Sequence, residues 1–143
     1  MIDLIVERNP VEVPESLITA EQRTLEAETA NALEAAGIPH EMAHQRAAEN
    51  AEETRKRAEK RARSALVIDA IATKENIEVS DDEVAERIAA MVTRGGRQRD
   101  RIAEFYRAED NRAALKQVMR REKTVGSLME RAQKEAPAEV APA

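Results

Sequence analysis

The feature that most constrains the fold is a long segment, residues 39–74, in which alanines recur at three- and four-residue spacing among charged residues. Such spacing places these alanines on one face of an α-helix. At about 1.5 Å per residue, the helix would be roughly 50 Å long. Its last part, which includes Leu66, Val67 and Ile68, is apolar almost all round and indicates burial in the body of a domain. The alanine stripe comprises Ala43, Ala47, Ala51, Ala58, Ala62 and Ala65.

Residues that start and stop helices divide the rest of the chain. Pro14 suits the first turn of a helix, and Gly37 supplies the left-handed position that ends it. Ser80 and Glu83 form a capping box, because each side chain can bond the backbone amide of the other. The predicted helices are 14–36, 39–74, 80–94, a short segment around 102–106, and 110–134.

Composition favours a helical protein without a thick core. Aromatic residues are 1% of the 143 residues, and the apolar fraction of 42% is largely alanine, which forms helices well but buries little area. We predict an all-α, elongated helical domain with long antiparallel arms hinged at Gly37. Its predicted parts are an extended N-terminal lead-in at 1–13, a helical domain at 14–134 with a hairpin arm at about 14–75, and a disordered tail at 135–143.

The charge of the chain is unevenly placed, although the formal net charge is only −5. The N-terminal third is acidic, and a basic stretch follows, comprising Arg55, Lys56, Arg57, Lys60, Arg61 and Arg63. Basic helix faces of this kind occur in nucleic-acid-binding proteins. No aromatic residue lies among these cations to stack on bases, so we predict instead a solvated face that pairs with carboxylates at i,i+4.

Residues 40–44, His-Glu-Met-Ala-His, match the H-E-x-x-H pattern of zinc peptidases. On a helix, both imidazoles would lie on one face, with the glutamate available as a general base. His40 and His44 are the only histidines, and the sequence has no glycine-rich phosphate loop or nucleophile elbow. We interpret the match as fortuitous, predict no catalytic residue, metal or other cofactor, and expect added zinc to change neither stability nor activity.

Two separated signatures resemble a known family. They are residues 9–18, Asn-Pro-Val-Glu-Val-Pro-Glu-Ser-Leu-Ile, and residues 71–80, Ile-Ala-Thr-Lys-Glu-Asn-Ile-Glu-Val-Ser. Together with Glu122 and Lys123 in the last helix, they resemble the C-terminal domain of trigger factor, the bacterial ribosome-associated chaperone. The resemblance covers about residues 9–132. Gly126 and Ser127 depart from it, because the family usually has an aspartate and a bulkier apolar residue there.

The resemblance implies an ATP-independent, cytoplasmic chaperone domain that binds apolar segments of unfolded or nascent polypeptides and prevents aggregation. Methionines and small aliphatic side chains suit such a promiscuous surface, because they repack around varied partners. We expect serine substitutions of Ile18 and Leu25 to weaken client capture. The expected client-binding residues are Leu17, Ile18, Leu25, Leu33, Met42, Met91, Val92, Phe105, Tyr106, Met119 and Met129.

The family's ribosome-docking domain and FKBP-like prolyl isomerase domain have no counterpart in the sequence. We therefore expect no enzymatic activity, and contact with a ribosome only through the missing domain. The absence of cysteine fits a reducing cytoplasm, and we predict no membrane or specific nucleic-acid partner. Whether the chain is an excised domain or a natural short form stays open.

Two other functions remain open on sequence grounds. A helical dimerisation or scaffold module would use the alanine stripe as a seam between two copies and would not bind unfolded proteins. An RNA- or ribosome-binding module would use the basic stretch, and its binding would weaken as salt rises. The helical hairpin is also similar to SurA-like periplasmic chaperones, but no secretion signal is present.

Overall fold

The computed structural model describes residues 2–135, and all of its regular elements are helical. A 3-10 turn spans Gly96–Gln98. The all-α prediction is confirmed for the described residues, which contain no strand. Glu135, the first residue of the predicted tail, ends the last helix, and the rest of that tail lies outside the described residues. The α-helices are α1 (Ile2–Arg8), α2 (Glu15–Ala35), α3 (His40–Ala48), α4 (Ala51–Lys74), α5 (Asp81–Arg94), α6 (Arg99–Phe105) and α7 (Glu109–Glu135).

The predicted helix signals act at two of the helix ends. Ser80 and Glu83 form the capping box of α5, since the Ser80 hydroxyl accepts from the Glu83 amide at 3.2 Å and the Glu83 carboxylate accepts from the Ser80 amide at 2.7 Å. Gly37 has φ +90°, in the left-handed region. Its amide donates to the carbonyl of Glu34 at 2.9 Å, which closes the end of α2.

The N-terminal residues are a first difference from the prediction. Residues 1–13 are predicted to be an extended lead-in, but Ile2–Arg8 forms a helix in which Val6 is buried. Asp3 of this helix pairs with Lys60 of α4 at 2.9 Å. Helices this short depend on tertiary contacts, and these contacts are not readable from the local apolar patch.

The predicted long helix at 39–74 is a second difference, because α3 ends at Ala48 and α4 begins at Ala51. Asn50 explains the break, since asparagine favours the position before a helix over its interior. The carbonyl of Asn50 accepts the first bond of α4, from the amide of Thr54 at 2.9 Å. From His40 onward, the predicted segment is therefore helical except at the two-residue joint 49–50.

The chain divides into two compact units, unit 1 ending at Val67 and unit 2 beginning at Ile68. In unit 1, α3 folds back against α2. Ile18 and Leu25 of α2 form a buried cluster with Ala58 of α4. The other buried alanines of unit 1 are Ala30, Ala43, Ala47 and Ala62.

Unit 2 contains the last turns of α4 together with α5, α6 and α7. Its buried apolar side chains include Ile68, Ala72, Val79 and Val84. Thr124 of α7 is completely buried, and its hydroxyl donates to the carbonyl of Arg120 at 2.8 Å. No helix within residues 2–135 combines the length and apolar character needed to cross a membrane.

Candidate functional site

One face of α7 is fixed to the rest of unit 2 by basic side chains. These side chains reach the end of α4, the segment after it and the first turn of α5, where they donate to backbone carbonyls and carboxylates. Hydrogen bonds that combine a charged donor with a carbonyl or carboxylate are stronger than neutral ones. The contacts are Lys116 to Asp81 at 2.8 Å, Arg120 to the carbonyl of Ile77 at 2.8 Å, Lys123 to the carbonyl of Glu78 at 2.9 Å, and Arg131 to Glu75 at 2.6 Å.

These contacts shift the pKa values of the groups at the start of α5. The hydrogen bond from Lys116 lowers the pKa of the Asp81 carboxyl, and the same bond raises the pKa of Lys116. The pKa of Glu83 is lowered first by the bond from the Ser80 backbone amide and then by the bond from Lys123. All these groups are ionised at neutral pH, so the docked face of α7 is a set of charged contacts.

The opposite face of α7 is apolar and open to solvent. Val118, Val125 and Met129 are spaced by seven and four residues, which at about 100° per residue puts them within about 40° of one another. By the same geometry, they lie roughly opposite the docked face. Val118 is 46% exposed and Met129 is 50% exposed, and Val125 between them is half-buried, so much of this apolar face remains accessible.

This exposed face forms a shallow groove of about 520 Å³. Gly126 adds to the opening, since a Cβ built at this position meets no atom within 4 Å. The groove is lined by Val118, Arg121, Glu122, Val125, Gly126 and Met129. We call these six residues the α7 groove.

The charged members of the α7 groove are held by partners on other helices. Arg121 donates twice to Asp69 of α4, at 2.8 and 2.7 Å. Glu122 accepts from Arg87 of α5 at 2.8 Å. The groove therefore combines an apolar floor with a charged rim whose side chains have fixed partners.

The other expected client-binding residues of unit 2 are at least partly accessible. Phe105 is 56% exposed, and its ring meets that of Tyr106 edge-to-face at a centroid distance of 5.1 Å. Met91, Val92 and Met119 are half-buried. Of the expected residues, only Met129 belongs to the α7 groove.

The expected residues of unit 1 require a correction. Ile18 and Leu25 are 5% and 6% exposed and belong to the core with Ala58, so they are not a surface for clients. Helical spacing on α2 reveals an apolar stripe but not which neighbour covers it. Leu17 and Met42 are exposed, and Leu33 is half-buried.

The basic stretch of α4 is paired with acidic residues of unit 1. Two pairs have the predicted i,i+4 spacing, Lys56 with Glu52 and Arg63 with Glu59. The remaining partners lie on α1 and α2, and most of the positive charge of this stretch is therefore compensated. These longer-range pairs are Arg55 with Glu15, Lys60 with Asp3, and Arg61 with Glu21 and Glu28.

Comparison with known proteins identifies the family. The family described as bacterial trigger factor protein (TF) C-terminus matches residues 1–130, which include the α7 groove. The chain belongs to the trigger factor C-terminus family. The resemblance seen in residues 9–18 and 71–80 is thereby confirmed.

The relatives of this trigger factor region are whole trigger factors. That of Syntrophotalea carbinolica is 28% identical over 128 residues, which are 90% of this chain and 29% of that protein. That of Geobacter metallireducens is 27% identical over 133 residues, 92% of this chain and 31% of that protein. That of Treponema pallidum (strain Nichols) is 23% identical over 131 residues, 92% and 29% of the two chains. The chain thus spans less than a third of these relatives, and no solved structure matches it.

Two residues that line the groove of this trigger factor region, Val118 and Val125, were not among the expected client-binding residues. Both have helical spacing with Met129, which was a detectable signal. Valines on an amphipathic helix usually face a core, and nothing in the local sequence shows that α7 docks through its basic face instead.

Proposed function

We propose that this trigger factor C-terminal region is an ATP-independent chaperone domain that binds apolar segments of unfolded or nascent polypeptides and limits their aggregation. The observation that carries the proposal is the α7 groove, an apolar face left open on a helix that is docked through its opposite side. Family membership supports the same function. It supports no enzymatic role for these residues.

The α7 groove has the properties that a promiscuous client site needs. Burial of apolar surface contributes about 25 cal/mol per Å² without requiring one client sequence, and the flexible Met129 side chain adapts to varied partners. Arg121 and Glu122 border the floor with charges already paired to Asp69 and Arg87. The charged rim therefore keeps the surface around the groove hydrated, and its paired charges present little net charge to clients.

The alternative of a dimerisation module is less well supported. Its seam would be the alanine stripe, but Ala43, Ala47, Ala58 and Ala62 are buried inside unit 1. An RNA-binding module would need free basic charge, whereas the basic stretch is paired with carboxylates of α1, α2 and α4. Both observations favour a client surface outside these two features.

The test is the suppression of aggregation of a chemically denatured, unrelated protein by this chain. The double variant Val118→Ser with Met129→Ser removes half-exposed apolar groups from the groove, and we expect about tenfold weaker protection, since about 1.4 kcal/mol of lost apolar contact corresponds to a factor of ten. Protection by the wild-type chain should survive high salt, because apolar contacts are not screened.

The comparison is the double variant Leu17→Ser with Met42→Ser in unit 1, which removes two exposed side chains that belong to the expected client-binding set but lie outside the α7 groove. These two residues lie on different helices, and we expect protection to change by less than about threefold, as for scattered surface residues. Equal loss in both double variants would contradict assignment to the α7 groove. An absence of protection by the wild-type chain would contradict the proposed function itself.

A further inference from the structure

Three side chains that can bind metal meet at the turn between α2 and α3. Glu34 lies in the last turn of α2, and His40 and His44 lie in the first two turns of α3. The i,i+4 spacing puts both imidazoles on one face of α3, with ring centroids 4.4 Å apart. Gly37, in the left-handed conformation, turns the chain so that this face returns to Glu34.

The distances among the three side chains suit a shared ion. His40 Nδ1 lies 2.6 Å and His44 Nε2 lies 3.6 Å from Glu34 Oε1, and one ligand atom from each residue falls within 4.8 Å of the others. Two ligands on a tetrahedral zinc ion, with bonds of about 2.0–2.2 Å, stand roughly 3.3 Å apart. Each observed distance to Glu34 therefore needs to change by less than about 1 Å.

The donor set and its exposure indicate the class of ion. Two imidazole nitrogens and one carboxylate oxygen suit zinc, nickel or copper, whereas magnesium and calcium prefer oxygen ligands. The side chains of His40, His44 and Glu34 are 74%, 53% and 36% exposed. Water can therefore complete the coordination, and the site lacks the closed, dry surroundings that activate a metal-bound water in a peptidase.

We propose that Glu34, His40 and His44 bind one divalent transition-metal ion that links the end of α2 to the start of α3. The fold places the Glu34 carboxylate, from outside the H-E-x-x-H motif, beside both histidines. We therefore expect zinc to change the stability of the chain, contrary to the prediction from the sequence. An ion bound only by the folded turn stabilises unit 1 by mass action. No residue of the α7 groove belongs to this site, so the metal-binding proposal and the client-binding proposal are tested independently.

The test uses the full, untagged chain after treatment with a chelator, titrated with zinc chloride. Calorimetry should give one ion per chain, and saturating zinc should raise the thermal midpoint by about 5 °C. The chain has two histidines in all, so every imidazole ring signal in its proton NMR spectrum comes from this site, and both rings should shift. Magnesium chloride should produce none of these changes.

Two variants and a matched control locate the ion. His44→Ala and Glu34→Gln each remove one ligand, and we expect zinc affinity to fall by at least about tenfold in each. Glu41→Gln removes a carboxylate from the same turn of α3 without removing a member of the triad, so zinc affinity should be unchanged. Far-UV circular dichroism verifies that the variants remain helical.

Three outcomes would overturn the proposal. They are zinc binding that persists in both His44→Ala and Glu34→Gln, a loss of affinity in Glu41→Gln as large as in those variants, and a wild-type titration with neither heat nor a shift of the imidazole signals.

Discussion

The two compact units hold their helices by different means. In unit 1, large aliphatic side chains of α2, Ile18 and Leu25, pack into a core with Ala58. In unit 2, α7 docks through basic side chains that bond carbonyls and carboxylates, and the completely buried Thr124 is its one buried residue. Polar contacts thus carry much of the docking of α7, and part of its apolar surface remains exposed. This difference explains why the open apolar groove lies on α7 and not on α2.

The apolar stripes of α2 and α7 also have different roles. On α2, the stripe is part of the core, and replacing it should cost stability. On α7, the stripe is exposed, and replacing it should cost binding but little stability. Each of the following predictions tests one side of this contrast.

The largest expected effect is that of Leu25→Ala in unit 1. This substitution leaves a cavity beside Ile18 and Ala58, and we expect the free energy of unfolding to fall by about 3 kcal/mol, within the usual range for buried leucines. Urea unfolding followed by far-UV circular dichroism measures the change. A loss below about 1 kcal/mol would mean that the α2 stripe is not a packed core. Leu17→Ala, one residue from the buried Ile18 but exposed, is the matched control and should have little effect.

The second prediction concerns the polar docking of α7. Arg120 donates to the Ile77 carbonyl at 2.8 Å and to the Thr73 hydroxyl at 3.1 Å. Arg120→Met keeps an aliphatic stem but removes both bonds, and we expect a loss of about 1–2 kcal/mol in the free energy of unfolding. Arg107→Met, on an exposed pair with Glu104, should change stability by less than about 0.5 kcal/mol. Equal losses of unfolding free energy in the two variants would show that the contacts of Arg120 stabilise the fold no more than an exposed ion pair does.

The third prediction is a stabilisation at the α7 groove. Gly126 lies inside α7 and has open space around a Cβ, so Gly126→Ala should raise the free energy of unfolding by about 0.5–1 kcal/mol through helix propensity alone. The added methyl group also narrows the groove. A rise in stability together with weaker client protection would show that Gly126 favours client binding in the groove and lowers the stability of α7. A fall in stability would contradict the open surroundings of Gly126.

The smallest effects are expected at matched surface pairs, one in each unit. Lys116 with Asp81 and Lys60 with Asp3 have the same chemistry, and in both pairs the lysine lowers the pKa of the aspartate. A lowered pKa means that the ionised pair stabilises the fold above the usual aspartate range, and that this stabilisation is lost as pH falls through the lowered value, below about pH 4.

Accordingly, Lys116→Met and Lys60→Met should each reduce the sensitivity of the urea midpoint to acid, by similar small amounts. The measurement is the midpoint at about pH 6 and about pH 3, on either side of the carboxylate range. A much larger change in Lys116→Met would show that this contact of the docked face contributes more than an ordinary exposed ion pair.

The ends of helices were predictable from the sequence where one or two local residues determine the backbone conformation. Gly37 and the Ser80–Glu83 box both act as predicted, because their effects are local. The joint at Asn50 and the helix Ile2–Arg8 were missed. Both depend on how a weak local preference is balanced against tertiary packing, which one sequence does not reveal.

The candidate site was less predictable than the fold. Among the expected client-binding residues, Phe105 and Met129 are exposed, whereas Ile18 and Leu25 are core residues. Burial depends on which neighbour faces a helix, and periodicity gives only the stripe. The same limitation concealed the placement of Glu34 beside His40 and His44, since these residues come together only when α3 folds back against α2.

The placement of the two aromatic rings has a practical consequence for optical experiments. Phe105 and Tyr106 are the chain's whole aromatic content, and the chain has no tryptophan. Tyrosine fluorescence and near-ultraviolet dichroism therefore arise entirely from unit 2, next to the end of α6. Unit 1 is spectroscopically silent at these wavelengths. Without any label, the two halves of the molecule can be followed separately by comparing tyrosine signals with total helicity.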